Sequence, residues 1–259
     1  MLVLLPPSET KRPGGADALD ADALRHAAAL GEARRRVRVA LEELSRDPEA
    51  AAKPLKLGAK NRGELAHNLS LGSSGVLPAI ERYTGVLYDA LAVSELDAGA
   101  RSWIDGHVRV QSALFGLIGA GDPIPAYRLS AGSRLPQLPV PLKRIWREAH
   151  AELDWSAAGF VLDLRSQDYA ALAPLPAGVG HPLAVVQRGA DGEVRALNHF
   201  NKAAKGDLVA RLARSRADIP DVAGMLAWAA DAGLELSGPD AAGALTLVTE
   251  LGAPATRPR

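Results

Sequence analysis

A tyrosine, an arginine and a glycine turn occur together in the middle of the chain, and these residue types can bind anions. Tyr127 adjoins Arg128, Gly132 marks a turn, and Arg134 follows it. An arginine presents a planar set of N–H donors that matches a phosphate, and a tyrosine ring can stack on a base. The segment predicts phosphate or base contacts, although Arg128 could equally anchor a buried carboxylate in a structural role.

A second cationic segment covers residues 199–206 and includes the start of a predicted helix. Lys202 and Lys205 fall in the first turn of this helix, which Asn201 is expected to cap. Cations at this end oppose the helix dipole, whereas the free N–H groups there attract anions. The placement indicates an anion-binding role for the two lysines, with a tolerated pair of surface charges as the alternative.

Several common catalytic sites are excluded by the sequence. The chain contains no cysteine, which removes disulfides, thiolate catalysis and cysteine-based metal centres. It contains no P-loop, no glycine-rich dinucleotide fingerprint and no nucleophile elbow. Its histidines are not spaced as helical metal ligands and are His26, His67, His107, His150, His181 and His199. We therefore predict no metal site and no cofactor.

The overall charge is balanced, with 30 basic and 30 acidic side chains. A nucleic-acid site would therefore have to be a local basic patch that acids elsewhere offset. The apolar run at residues 1–7 is too short for a signal peptide and lacks its basic residues, and no later run is long enough to span a bilayer. We expect a cytoplasmic protein without a membrane partner.

Hydrophobic patterning predicts the elements that position these residues. The apolar run at residues 2–5 indicates a buried strand, and apolar residues at helical spacing predict a helix over residues 17–46. The other main predictions are strands over 108–114, 160–164, 183–187, 194–198, 234–236 and 245–249, and helices over 142–153, 201–214 and 221–232. Because strands and helices do not alternate regularly, we predict one α+β domain over residues 1–251 and a disordered tail over 252–259.

From end to end, the chain carries ordered features that resemble the YaaA peroxide-stress family. The matching features are the strand and turn at Leu4–Lys11, Tyr83–Gly85 with Tyr88, the block from Val108 through Arg109, Ser112 and Gly116 to Tyr127–Leu129 and Gly132, then Trp146, Leu164–Tyr169, and Asn201–Gly206. No single feature would identify the family, but their order over nearly the whole length is specific.

The resemblance implies a single mixed α/β domain with a mostly antiparallel or mixed central sheet, surrounding helices and a basic cleft. It also implies binding of double-stranded DNA and a role in limiting iron-driven peroxide damage. The residues expected to line that cleft and hold DNA or another anion are Lys11, Tyr83, Tyr88, Arg109, Ser112, Tyr127, Arg128, Arg134, Lys202 and Lys205.

Two other classes of function stay open at this point. The same cations could hold a small phosphorylated or nucleoside-like substrate of an enzyme, with Glu9, Asp163, Asp168 or His199 as general acid or base. A carboxylate against Lys202 or Arg128 in a closed pocket would favour this reading, and an open basic groove would favour DNA. Iron handling through carboxylate and histidine ligands is the third class, and no residue spacing supports it.

Overall fold

The computed structural model of the chain describes residues 1–58, 61–188, 194–196 and 201–249. The strands in these ranges are β1 (Leu2–Leu5), β2 (Leu77–Pro78), β3 (Val108–Ser112), β4 (Gly116–Gly119), β5 (Pro123–Ile124), β6 (Val161–Asp163), β7 (His181–Arg188), β8 (Val194–Ala196), β9 (Glu235–Ser237) and β10 (Leu245–Thr249). The α-helices are α1 (Ala27–Ser45), α2 (Pro48–Ala52), α3 (Leu65–Leu69), α4 (Ala79–Arg82), α5 (Val86–Leu91), α6 (Ala98–His107), α7 (Leu142–His150), α8 (Gln167–Leu172), α9 (Asn201–Ser215) and α10 (Val222–Asp231).

The main sheet has the strand order β4-β3-β1-β6-β7-β10-β9, with β8 paired to the end of β7. The pairings from β3 through β1, β6 and β7 to β10 are parallel. The pairings of β4, β8 and β9 with their neighbours are antiparallel. The chain is therefore an α+β domain with a mixed sheet, as predicted, and its antiparallel pairings flank a parallel centre.

Strand β1 occupies the middle of this sheet and sets the position of the candidate site. Val3 is opposite Val108 on one side and Leu162 on the other, and the last three residues of the strand are fully buried. A strand buried on both faces is a continuous apolar run, which explains its sequence. Because β1, β3 and β6 are parallel, their carboxyl ends meet at one edge of the sheet, and the segments that follow them converge there.

The first long helix begins later than its sequence pattern predicts. The pattern indicates a helix from residue 17, whereas α1 starts at Ala27. The carboxylate of Asp20 accepts hydrogen bonds from the N–H groups of Asp22 and Ala23, and His26 has a positive φ of 60°. Local side-chain hydrogen bonds of this kind compete with the helix, so the segment before α1 forms turns instead.

Most of the other predicted elements are confirmed within one to three residues. The antiparallel pairing of β7 with β8 confirms the predicted hairpin, but its turn at residues 189–192 lies outside the described residues. The same holds for the predicted tail at 252–259. Within the ranges that the structure describes, no helix combines the length and the apolar character needed to cross a bilayer.

Helix α9 packs tightly on α5 through Gly206, and we expect the substitution Gly206→Ala to lower stability. A Cβ atom there would approach the carbonyl oxygen of Leu87 to 2.1 Å. Such overpacking reduces the free energy of unfolding by about 1–3 kcal/mol. Urea denaturation checks this, with Gly31→Ala in α1 as a control, because a Cβ at Gly31 meets nothing within 4 Å. A helical alanine without a clash stabilises by up to about 1 kcal/mol, so equal shifts in the two variants would contradict the prediction.

Candidate functional site

An open cleft of about 480 Å³ lies where the segments after the parallel strands converge. The loop after β1 forms one wall, and the start of α5 forms another. The turn at Ser130–Gly132, the start of α8 and two exposed lysines, Lys56 and Lys202, complete the cleft. Its lining is rich in hydroxyl groups, which come from Ser8, Thr10, Thr84, Ser130, Ser166 and two tyrosines.

Lys11 is anchored directly behind the wall formed by the loop after β1. Its Nζ atom donates hydrogen bonds to the carbonyl oxygens of Ser8 (3.0 Å) and Glu9 (3.2 Å). The same atom lies 4.1 Å from the ring centre of Tyr127 and 5.4 Å from that of Tyr83. Burial, assisted by the Arg128 guanidinium, lowers the pKa of Lys11 to about 7, against the opposing effect of nearby glutamates.

A chain of hydroxyl groups runs beneath Lys11. The Oη atoms of Tyr83 and Tyr127 are 2.8 Å apart, and Ser112 Oγ is 2.8 Å from Tyr127 Oη. The backbone N–H groups of Leu114 and Phe115 donate to Ser112 Oγ at 3.1 and 3.0 Å. Since both lone pairs of Ser112 Oγ are thereby used, its hydrogen is donated to Tyr127.

The hydroxyl groups of this chain carry one hydrogen more than the hydrogen bonds between them require. Ser112, Tyr127 and Tyr83 supply three hydroxyl hydrogens, and only two hydrogen bonds join the three groups. Among the described residues, neither Tyr83 nor Tyr127 donates a hydrogen bond to an acceptor outside these three groups. Because both phenols are almost fully buried, the network is poised to donate to the oxygen of a water or a ligand.

All four tyrosines of the chain meet at this site. The rings of Tyr83 and Tyr88 are 5.4 Å apart, Tyr88 Oη donates to the carbonyl of Pro6 at 2.8 Å, and Tyr169 lines the cleft. Burial raises the pKa of each phenol, so all four are neutral hydrogen-bond donors at physiological pH. Neutral phenols do not repel an anion in the cleft.

Arg128 is paired with carboxylates at the edge of the cleft. Its guanidinium lies 3.3 Å from the carboxylate of Glu64 and 3.5 Å from that of Glu9. The amide of Asn68 fixes its backbone by donating to the Arg128 carbonyl (3.0 Å) and accepting from its N–H (2.7 Å). The anchoring role that the sequence left open is thus part of what Arg128 does, and Glu9 also lines the cleft.

Of the six sequence-predicted cations, only Lys202 lines the cleft, and besides Lys11 and Arg128 three others lie outside its lining. The Arg109 guanidinium donates to the carbonyls of Asp105, Gly106 and Val108 and so holds the end of α6. Lys205 is buried, and its Nζ donates to the carbonyl of Leu164 at 3.1 Å. Exposed Arg134 is near the cleft, but it does not line it.

The exposed cations around the cleft share one property, which is that no carboxylate pairs with them among the described residues. Lys56 packs against Gly132, where an added Cβ would approach its Nζ to 2.6 Å. The N–H of Arg134 donates to the carbonyl of Pro54 at 3.0 Å, which places Arg134 beside the segment that carries Lys53 and Lys56. Some exposed arginines elsewhere are paired, as in Arg35–Glu32 and Arg62–Glu49, whereas Arg46, Arg147 and Arg214 are exposed and form no ion pair with a described residue.

The acids considered for catalysis have different surroundings. Asp168 lines the cleft, whereas Asp163 is buried in a pair with Arg165. His199 lies outside the described residues. Within the described ranges, no three His, Asp or Glu side chains are grouped closely enough to hold a metal ion.

Sequence reasoning missed Lys56 as a cleft residue. Its stretch is visibly basic, but the backbone at Lys56 has a positive φ of 54°, which residue type does not signal.

The fold and the site define a class of α+β protein that has a mixed sheet and a cleft lined by hydroxyl, tyrosine and lysine side chains. The chain belongs to the family described as peroxide stress protein YaaA, whose model matches residues 1–236. This finding confirms the resemblance seen in the ordered motifs, and it supports a stress-related role.

Proteins of three actinobacteria illustrate the similarity. The UPF0246 protein CE1889 of Corynebacterium efficiens is 40% identical over 219 residues, which cover 83% of this chain and 86% of that protein. The UPF0246 protein SCO2297 of Streptomyces coelicolor is 42% identical over 215 residues, or 82% of each chain. The UPF0246 protein Cgl1995/cg2186 of Corynebacterium glutamicum is 38% identical over 254 residues, 96% of this chain and all of that protein.

Proposed function

We propose that this chain acts in the cytoplasmic response to peroxide stress by binding double-stranded DNA at the cleft. The observation that carries the proposal is the set of exposed cations without carboxylate partners around it, Lys53, Lys56, Arg134 and Lys202. Although the whole chain is neutral, these groups form the local patch that phosphates require. Neutral tyrosine hydroxyls and the serine and threonine side chains of the cleft add uncharged donors for sugar and phosphate oxygens.

The double substitution Lys56→Glu/Lys202→Glu is expected to weaken duplex binding and to flatten its salt dependence. Each lysine removed from a phosphate contact reduces the magnitude of the slope of log affinity against log salt by about 1. The pair should therefore reduce it by about 2. Fluorescence anisotropy with a labelled duplex over a series of salt concentrations measures both quantities.

A matched control is available on α7. Lys143 and Arg147 are exposed and do not line the cleft, and Lys143→Glu/Arg147→Glu makes the same change in net charge. We expect this variant to retain most of the affinity and the slope. Equal losses in the two variants would mean that only overall charge matters, and unchanged binding in the cleft variant would remove the cleft from the proposal.

A second candidate is an enzyme that acts on a small phosphorylated or nucleoside-like substrate, and the position of Glu9 favours it. This carboxylate lines the cleft and lies 3.5 Å from the guanidinium of Arg128, so a cation supports an acid that faces the cleft. Adding a mononucleotide to the anisotropy experiment separates the two candidates. Little displacement of the duplex at millimolar mononucleotide supports DNA, whereas displacement at low concentration supports the small substrate.

A further inference from the structure

Lys11 is a half-buried amine that is held without a carboxylate partner among the described residues. Buried cations in proteins are often paired with carboxylates, as Arg165 is with Asp163 here, although buried Lys205 is held by a backbone carbonyl instead. Lys11 forms no ion pair with a described residue and is held by two backbone carbonyls and two aromatic rings. These contacts fix the position of Nζ without neutralising a positive charge.

The surroundings of Lys11 favour its neutral form. Burial and the guanidinium of Arg128 lower its pKa to about 7, while Glu64 and Glu9 oppose this only in part. An exposed lysine has a pKa near 10.4, so at pH 7 the neutral fraction of Lys11 is larger on the order of 1,000-fold. A desolvated lysine beside another cation is the usual setting for an amine that acts as a nucleophile.

The cleft brings a ligand within reach of this amine. The two carbonyls that hold Nζ belong to Ser8 and Glu9, which line the cleft, and the Nζ–Glu9 contact is exposed. The lysines at the rim, Lys56 and Lys202, provide positions for phosphate. A phosphate held by these lysines would keep the rest of the ligand in the cleft whose wall, at Ser8 and Glu9, holds the Lys11 amine.

We propose that Lys11 forms an imine with the aldehyde carbon of a phosphorylated sugar bound in the cleft. The lone pair of Nζ attacks this carbon and a C–N bond forms. The former carbonyl C–O bond then breaks, and the oxygen leaves as water with the two hydrogens that the amine gives up. Two sources supply this chemistry, an abasic nucleotide within duplex DNA or a free sugar phosphate, and the first rests on the DNA-binding function proposed above.

Reductive trapping tests the proposal directly. Sodium cyanoborohydride converts an imine into a stable secondary amine, so the modified lysine can be located by peptide mass spectrometry. One arm uses a labelled duplex with a single abasic site, and the other uses ribose 5-phosphate. We expect an adduct on Lys11 in at least one arm, a loss of at least tenfold in trapped product for Lys11→Arg, and no loss for Lys143→Arg on α7.

The pH profile provides a readout that a purely structural lysine would not show. The charged and titratable groups that face Lys11 are Arg128, Glu64, Glu9, Arg82, Tyr83 and Tyr127. Trapping should increase as the pH rises through about 7 and then level off, because only the neutral amine attacks.

Each outcome decides one of the two proposals. An adduct confined to other lysines, or none in either arm, would overturn the role of Lys11, even if Lys11→Arg failed to fold. Binding of an intact duplex, together with no adduct in either trapping arm, would leave the DNA function standing and remove the imine. An adduct with ribose 5-phosphate alone, without duplex binding, would keep the imine and remove DNA as the ligand.

Discussion

The substitution Arg82→Met is expected to lower the free energy of unfolding more than any other single change considered for this chain. The arginine is fully buried and donates to four backbone carbonyls. These belong to Ile124 (2.9 Å), Gly14 (2.9 Å), Gly75 (2.8 Å) and Arg12. An acceptor left without a donor costs about 1–3 kcal/mol when it is buried, as the Ile124 carbonyl is, and less at the three part-buried carbonyls, so the total is on the order of 5 kcal/mol. That is comparable with the whole stability of a small domain, about 5–15 kcal/mol.

Urea denaturation followed by circular dichroism measures this loss. Arg12→Met is the control, because the side chain of Arg12 is exposed and only its carbonyl accepts from Arg82. We expect the control to unfold like the wild type. A midpoint for Arg82→Met within error of the control would show that the four carbonyls find other donors. Since Arg82 fixes the segment directly after Lys11, we also expect the variant to lose the candidate site first.

The buried pair of Asp163 and Arg165 gives the second large expected effect. The guanidinium binds both carboxylate oxygens, at 2.9 and 2.8 Å, and each residue is 7% exposed. Arg165→Met leaves the carboxylate buried and unpaired, which costs about 3–5 kcal/mol. The double variant Asp163→Asn/Arg165→Met should recover much of that loss, because the unpaired charge is then absent.

A double-mutant cycle with the exposed pair Arg144–Glu148 provides the comparison. That pair lies on α7 with both side chains more than half exposed, and such pairs contribute at most about 1 kcal/mol. If Arg165→Met proved no more harmful than Arg144→Met, the buried pair would not be a major contributor to stability.

The elements predicted well from sequence are those whose buried faces are apolar along their whole length. Strand β1 is an apolar run buried in a parallel sheet, and the face of α1 that carries Leu30, Val37 and Leu41 is entirely buried. Strand β4 was missed because it is four residues long and begins and ends with glycine. At Gly116, a Cβ would approach the Trp146 ring to 2.6 Å. Tertiary packing requires that glycine, and no local pattern reveals it.

For the candidate site too, the sequence identifies some of the residues and only the structure places the others. The order of motifs identifies Lys11, Tyr83 and Tyr127, which the fold brings together. Residue type alone does not distinguish these residues from Arg109 and Lys205, whose side chains donate hydrogen bonds to backbone carbonyls. Whether a cation faces a ligand or a carbonyl depends on chain segments that are distant in sequence, so only the structure distinguishes the two cases.

The central place of β1 also constrains how the protein folds as it is synthesised. Leu2–Leu5 are synthesised before both of their partner strands, Val108–Ser112 and Val161–Asp163. At about 5–20 residues per second, the second partner follows the first strand by roughly 8–30 s. Until β3 is made this apolar segment has no partner strand, and until β6 is made one of its edges stays unpaired, which leaves it prone to aggregation. The sheet is thus completed late, and a chain interrupted before residue 161 would lack the strand that pairs with one edge of β1.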